Sequence, residues 1–289
     1  MKQRDKLKRH FFLSAIIIAF LLMAIGQTPL YLLIPYVQAR IPDPGINFLF
    51  MYTTYLGIWI VTLLYCRFAE KDTFNSFKSA RRGGRKGNTF KHLAIGLLIG
   101  FILNGLCALA AFLHNDLAFS FSSFDILYLI VGLVVVFIQS GAEELLVRGY
   151  LYSVIDSRYG VVLAIIINSL FFAGVHGAND GITVLAVIHL TVVAVLLSLC
   201  IWRYDSLWLA MGIHTTWNYT QSLLLGLPNS GIVSEKALMR LDAASDSIFY
   251  SVSFGLEGGI TVIVLQLAMI VYILLDAKRN KQAGSITNS

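Results

Sequence analysis

Few ionisable side chains interrupt the long apolar runs of this chain, and their spacing is what suggests chemistry. Glu143, Glu144 and Arg148 fall in one run, His176 ends the next, His189 sits in another, and His214 and Asn218 share a further one. A charge at the centre of a bilayer costs roughly 2.5–3.5 kcal/mol on insertion scales, so each such group is a candidate functional residue. Residues four apart share a helix face, which pairs Glu144 with Arg148, Phe172 with His176, and His214 with Asn218. Three helices can then each turn one polar face to a common interior. The chemistry these groups suit is hydrolysis: a carboxylate takes a proton from water while imidazole and amide N–H groups donate to the developing oxyanion. The two glutamates are not equivalent. Pairing with Arg148 favours an ionised Glu144 that holds the helix, whereas Glu143, about 100° further round, is the better general base. His176 is expected to share the catalytic water with Glu143, leaving His214 and Asn218 for the carbonyl oxygen.

The elements that must position these groups are membrane helices. Of the 289 residues 57% are hydrophobic and 13% charged, against roughly 25% charged in an average soluble domain, and the mean hydropathy is +0.74. An ordinary soluble fold is excluded. Apolar runs of about 20 residues give about eight spans, near 11–37, 47–66, 92–113, 126–150, 161–176, 182–201, 206–225 and 258–275. The net charge of +6 does not point to nucleic acid. All Lys and Arg except Arg40, Arg148, Lys236 and Arg240 fall in the tails and alternate loops, as the positive-inside rule requires. The N- and C-termini are therefore expected in the cytoplasm, with the loop from Arg67 to Lys91. Lys2, Arg4, Lys6, Lys8 and Arg9 precede the first run, and Val37-Gln38-Ala39 resembles a cleavage site, but the run is too long for a signal peptide and an uncleaved anchor is expected.

The fourth run is expected to stay helical to about Asp156 before a turn at Tyr159-Gly160, which sets Glu143 and His176 at similar depth, about 20 Å from that end. His214, about 12 Å along its helix from Ser206, falls shallower on the same count. The Arg81-Arg82-Gly83-Gly84-Arg85 run reads as a solvated loop. The segment 226–257 is the longest external connection and is expected to carry a short amphipathic helix. Cys66, Cys107 and Cys200 read as reduced packing residues. The fold class is all-α, a polytopic transmembrane bundle forming one membrane domain over 1–289, with the chemistry-bearing region at about 140–220.

Glu143-Glu144-Leu145-Leu146-Val147-Arg148, Phe172-Ala173-Gly174-Val175-His176 and His214-Thr215-Thr216-Trp217-Asn218 follow one another as EExxxR, FxxxH and HxxxN. In that order they resemble the motifs of the CPBP family, the CAAX proteases and bacteriocin-processing enzymes, also called Abi or type II CAAX prenyl endopeptidase-like proteins. The resemblance implies an intramembrane endopeptidase with its site in a water-accessible cavity. It gives Glu143 and His176 the activation of water, His214 and Asn218 the oxyanion, and Glu144 with Arg148 a supporting role. The family is described both as metalloproteases and as glutamate-dependent enzymes. Glu143, His176 and His214 would be the zinc ligands, but there is no HExxH pair, and the preferred reading is glutamate-activated water with no metal assigned. The implied partners are the lipid bilayer and a membrane-associated protein or peptide substrate, in a bacterial cytoplasmic membrane. A non-catalytic immunity protein that binds a peptide in the same cavity, or a proton-coupled transporter, are the competing readings.

Other residues keep plainer assignments. His189 reads as a packed histidine bonded to a neighbouring helix, Phe172 as a wall of the site, Glu257 as an interface charge, and the sequon Asn218-Tyr219-Thr220 as unused at membrane depth.

Overall fold

Each long apolar run forms a helix, and the polar residue in front of it sets where the helix starts. The computed structural model describes residues 12–286, with side chains for 12–280; the basic cluster from Lys2 to Arg9 and the side chain of Lys281 lie outside them. The chain runs α1 (Phe12–Tyr31), α2 (Ile34–Arg40), α3 (Pro44–Thr53), α4 (Leu56–Ala69), the short α5 (Lys71–Ser76) and α6 (Phe90–Leu113). Strand β1 (Leu117–Phe121) follows, then α7 (Ile126–Glu144), which passes through a π-helical stretch, Leu145–Tyr152, into α8 (Ser153–Tyr159). After α9 (Val161–His176), α10 (Val184–Tyr204) and α11 (Leu207–Tyr219) come strand β2 (Met239–Ala244) and α12 (Ile260–Ile286). Thr89, Asp125, Thr183 and Ser206 each accept a hydrogen bond from the backbone N–H three residues on, capping α6, α7, α10 and α11. Lys236 Nζ donates to Asp125 Oδ2 at 2.8 Å, and this bond, with the Tyr128 amide, holds the Asp125 carboxyl below the usual carboxylate range.

Among the described residues six helical stretches are long and apolar enough to span a bilayer: Phe12–Arg40, Pro44–Ala69, Phe90–Leu113, Ile126–Tyr159, Val184–Tyr204 and Ile260–Asn280. The molecule is a multi-pass helical membrane protein. The two other expected spans form helices that fall short. At 16 residues α9 is about 24 Å long, less than the roughly 30 Å hydrocarbon core, and α11 has 13 residues before a π-helical turn at Thr220–Leu224.

Of the two, α11 sits deep in the bundle, whereas α9 leaves Val162, Ile166 and Leu170 exposed on its outer face. Ser206, which starts α11, is fully buried because the loop before α6 folds under it: Ser206 Oγ donates to Gly87 O at 2.6 Å, Asn88 Oδ1 accepts from Leu207 N at 2.8 Å, and Arg85 pairs with Asp205 at 2.8 Å. His214 was expected shallower than Glu143, yet the two side chains meet, His214 Nε2 lying 3.8 Å from Glu143 Oε2. α6 and α11 also pack backbone to backbone. A Cβ on Gly212 would lie 2.6 Å from Leu93 O, and one on Gly96 or Gly100 would collide with Leu209 O or Ile213 O.

The helical bundle is as expected, with one small addition: β1 and β2 pair antiparallel, with Leu117 opposite Ala244 and Phe121 opposite Met239. One expectation is corrected. The segment 226–257 carries no α-helix but β2 and a 3-10 turn at Leu256–Gly258. Its Met239-Arg240-Leu241-Asp242 alternates half-buried with exposed residues, a period of two that suits a strand once a partner strand is at hand. As expected, α7 to α8 stays helical to Tyr159, where Gly160 turns the chain at φ 93°. Cys66, Cys107 and Cys200 are buried free thiols.

Candidate active site

Glu143 stands two residues before the π-helical stretch, with α9 and α11 facing it. Its Oε2 lies 3.8 Å from His214 Nε2 and 4.0 Å from His176 Nε2. α7, α9 and α11 therefore converge as their polar faces require. Glu143 Oε2 is buried without a hydrogen-bond partner, while Oε1 accepts from Gln139 Nε2 at 2.6 Å. Glu144, fully buried, is held differently. Its Oε1 accepts from Arg148 Nη1 at 3.0 Å and sits 2.9 Å from His214 Nδ1, so the adjacent glutamates present one carboxylate to the cavity and one to the bundle.

The second nitrogen of each imidazole decides what the first can do. His176 Nδ1 is 2.8 Å from Phe172 O; a carbonyl only accepts, so Nδ1 carries the proton and a neutral His176 offers its Nε2 lone pair to the cavity. His214 Nδ1 donates to ionised Glu144, which leaves Nε2 facing Glu143 as acceptor when the ring is neutral and as donor when it is protonated. Phe172 joins these parts. Its ring lies 4.5 Å from the His176 ring and 4.3 Å from the Arg148 guanidinium carbon, a cation–π contact beneath a guanidinium whose Nε and Nη2 have no hydrogen-bond partner.

Asn218 is oriented by its neighbours. Its amide donates to Gln139 Oε1 at 3.0 Å and Ser140 Oγ at 3.1 Å, and its Oδ1 accepts from Asn229 Nδ2 at 3.1 Å. Both amide hydrogens are thereby engaged, and the chain Asn229, Asn218, Gln139 ends on Glu143. Gln139 and Asn229 were not singled out in the sequence, although Gln139 precedes Glu143 by one helical turn. Glu257 is not the interface charge expected: it is 3% exposed and accepts from Trp217 Nε1 at 3.2 Å and Ser230 N at 2.5 Å. His189 packs as expected, its Nδ1 3.1 Å from Gln266 Nε2.

Glu143, His176, His214, Asn218, His189 and Glu257 all line one cavity of about 450 Å³. The donor set suits zinc in kind, but tetrahedral zinc ligands lie about 3.3–3.5 Å apart. The nitrogens here stand 3.8 and 4.0 Å from Glu143 Oε2, and among the described residues no three His, Cys, Asp or Glu converge as a metal-binding group. A water hydrogen-bonded at about 2.8 Å to two such atoms spans about 4.6 Å at a tetrahedral angle, so the 3.8 and 4.0 Å spacings fall between what zinc and water favour.

Neither a curated protein nor a solved structure matches the chain. Residues 125–220, about a third of the chain, match the family model described as Rce1-like, type II CAAX prenyl endopeptidase Rce1-like. The matched stretch opens at the cap of α7 and closes just past Asn218, so it holds all three motifs and the residues that converge on Glu143, and the resemblance of this chain to the CAAX protease family stands.

Proposed function

We propose that the protein is an intramembrane endopeptidase that hydrolyses a peptide bond of a membrane-associated protein or peptide with water activated by Glu143. The observation that carries this reading is the buried, unpartnered Glu143 Oε2 with two imidazole Nε2 atoms 3.8 and 4.0 Å away. Water held there donates hydrogen bonds to Glu143 Oε2 and His176 Nε2. As its oxygen attacks the carbonyl carbon one proton passes to Glu143, which gives it to the amide nitrogen as the C–N bond breaks, and the other stays on the new hydroxyl until the product acid ionises. His214, protonated against Glu144, donates from Nε2 to the oxyanion. The geometry supports a different part for Asn218 than direct contact with that oxygen: both its amide hydrogens hold Gln139, which donates to Glu143. Asn218 and Gln139 act in this account as positioning residues, and no step runs through a metal.

The setting is one membrane domain over 1–289, with both termini and the loop 67–91 cytoplasmic in a bacterial inner membrane. This rests on the charge of the loops and on α6 and α11 opening at the same basic end of the bundle as α4 closes. The test is terminal-peptide mass spectrometry on membranes that carry the wild-type protein or Glu143→Gln at matched abundance. Peptide ends found only with wild type are expected; identical profiles, with any phenotype of the wild type kept by the variant, would favour a binding or immunity role instead.

A further inference from the structure

Beyond Glu143 the same cavity continues to polar side chains that lie outside the three motifs. Glu257 accepts from Trp217 Nε1 at 3.2 Å, Ser230 N at 2.5 Å and Ser230 Oγ at 2.7 Å. Burial raises the pKa of Glu257, so its ionised form, which has about one acceptor site beyond these three, calls for a cation within reach. Among the described residues no cation pairs with it, and no Lys or Arg lines the cavity. A second acceptor stands nearby. Gln266, 2% exposed, lines the cavity with its Oε1 unpartnered, its Nε2 being taken by His189. His189 stacks on Trp217, ring centroids 5.9 Å apart, so Trp217 links both acceptors into one wall. Such acceptors are costly to bury unless something donates to them.

We propose that this wall binds a cationic nitrogen of the substrate close to the scissile bond, with Glu257 and Gln266 as its acceptors. This rests on the proteolytic reading and adds to it a substrate class: peptides with a Lys or Arg side chain, or a free amino terminus, near the bond that is cut.

The test uses the full chain in phosphatidylcholine–phosphatidylglycerol vesicles with a tryptic-free peptide extract of host membranes as substrate. Cut sites are read by mass spectrometry for wild type, Glu257→Gln, Gln266→Met and, as the blank, Glu143→Gln. Sites that need Glu143 are expected to be enriched in Lys, Arg or an amino terminus nearby. Glu257→Gln should lower cleavage at those sites relative to neutral ones about tenfold, the equivalent of one charged hydrogen bond, and Gln266→Met should act in the same direction. Acetylating only the peptide amino termini, or only the lysines, tells which source supplies the cation. Absence of enrichment, or an equal fall at all sites in both variants, as from a residue that only anchors the loop, would overturn the assignment. If Glu257→Gln does not accumulate as folded protein, Gln266→Met decides. A complete lack of Glu143-dependent sites would instead bring down the proteolytic reading on which the assignment stands.

Discussion

Glu143 is set apart from Glu144 by what its two oxygens meet. Gln139 fixes Oε1 and leaves Oε2 to the imidazoles, whereas Glu144 is tied to Arg148 and His214. Glu143→Gln is therefore expected to lower the rate of peptide cleavage by about 10²–10⁴, the usual contribution of a general base. Gln139→Leu should lower kcat by about 10- to 100-fold with KM little changed, because it removes a hydrogen bond to a charged group without touching substrate; a rise in KM alone would contradict a positioning role. The motif residues were legible because pairs four apart are a local property of a helix. Gln139 and Glu257 were not. An amide inside an apolar run reads as packing until Asn218 of α11 is brought against it, and a carboxylate just before a run reads as an interface charge until Ser230, in a loop that folds back from residue 226 onward, donates to it.

At the scale of elements, the position of His214 depends on how closely α11 lies on α6. Gly96, Gly100 and Gly212 leave no room there for a side chain. Gly100→Val is expected to cost about 1–3 kcal/mol as an overpacked contact, seen as a lower Tm in detergent, and to reduce cleavage by shifting His214. Gly105→Ala, on a face of α6 with no atom within 4 Å of the added carbon, should leave activity intact and stabilise by about 0.5–1 kcal/mol. Equal damage from both would argue that α6 tolerates no side chain for reasons unrelated to its crossing. The helices were readable from the apolar runs, since such a run is a local property. The β1–β2 pair was not, because its strands are separated by more than a hundred residues, and neither Leu117-Ala118-Phe119 nor Met239-Arg240-Leu241 declares a partner. The contacts that bury Ser206 were missed for the same reason: Gly87 and Asn88 belong to a loop far away in sequence.

For the whole molecule, charge decides orientation and geometry decides chemistry. With cytoplasmic termini, Arg82→Cys should react with a membrane-impermeant maleimide only from the cytoplasmic side and Asp242→Cys only from outside, the native thiols being buried and silent; labelling of both from one side would reverse the topology. The central claim is that a glutamate-held water, without a metal, cuts the peptide bond. It is tested most directly by measuring cleavage by purified wild type and Glu143→Gln before and after removal of metals with a strong zinc chelator, with bound zinc quantified. The account predicts that wild-type cleavage persists with zinc far below one ion per chain and that Glu143→Gln is inactive throughout; cleavage lost on chelation and restored by zinc, or retained by Glu143→Gln, would contradict it.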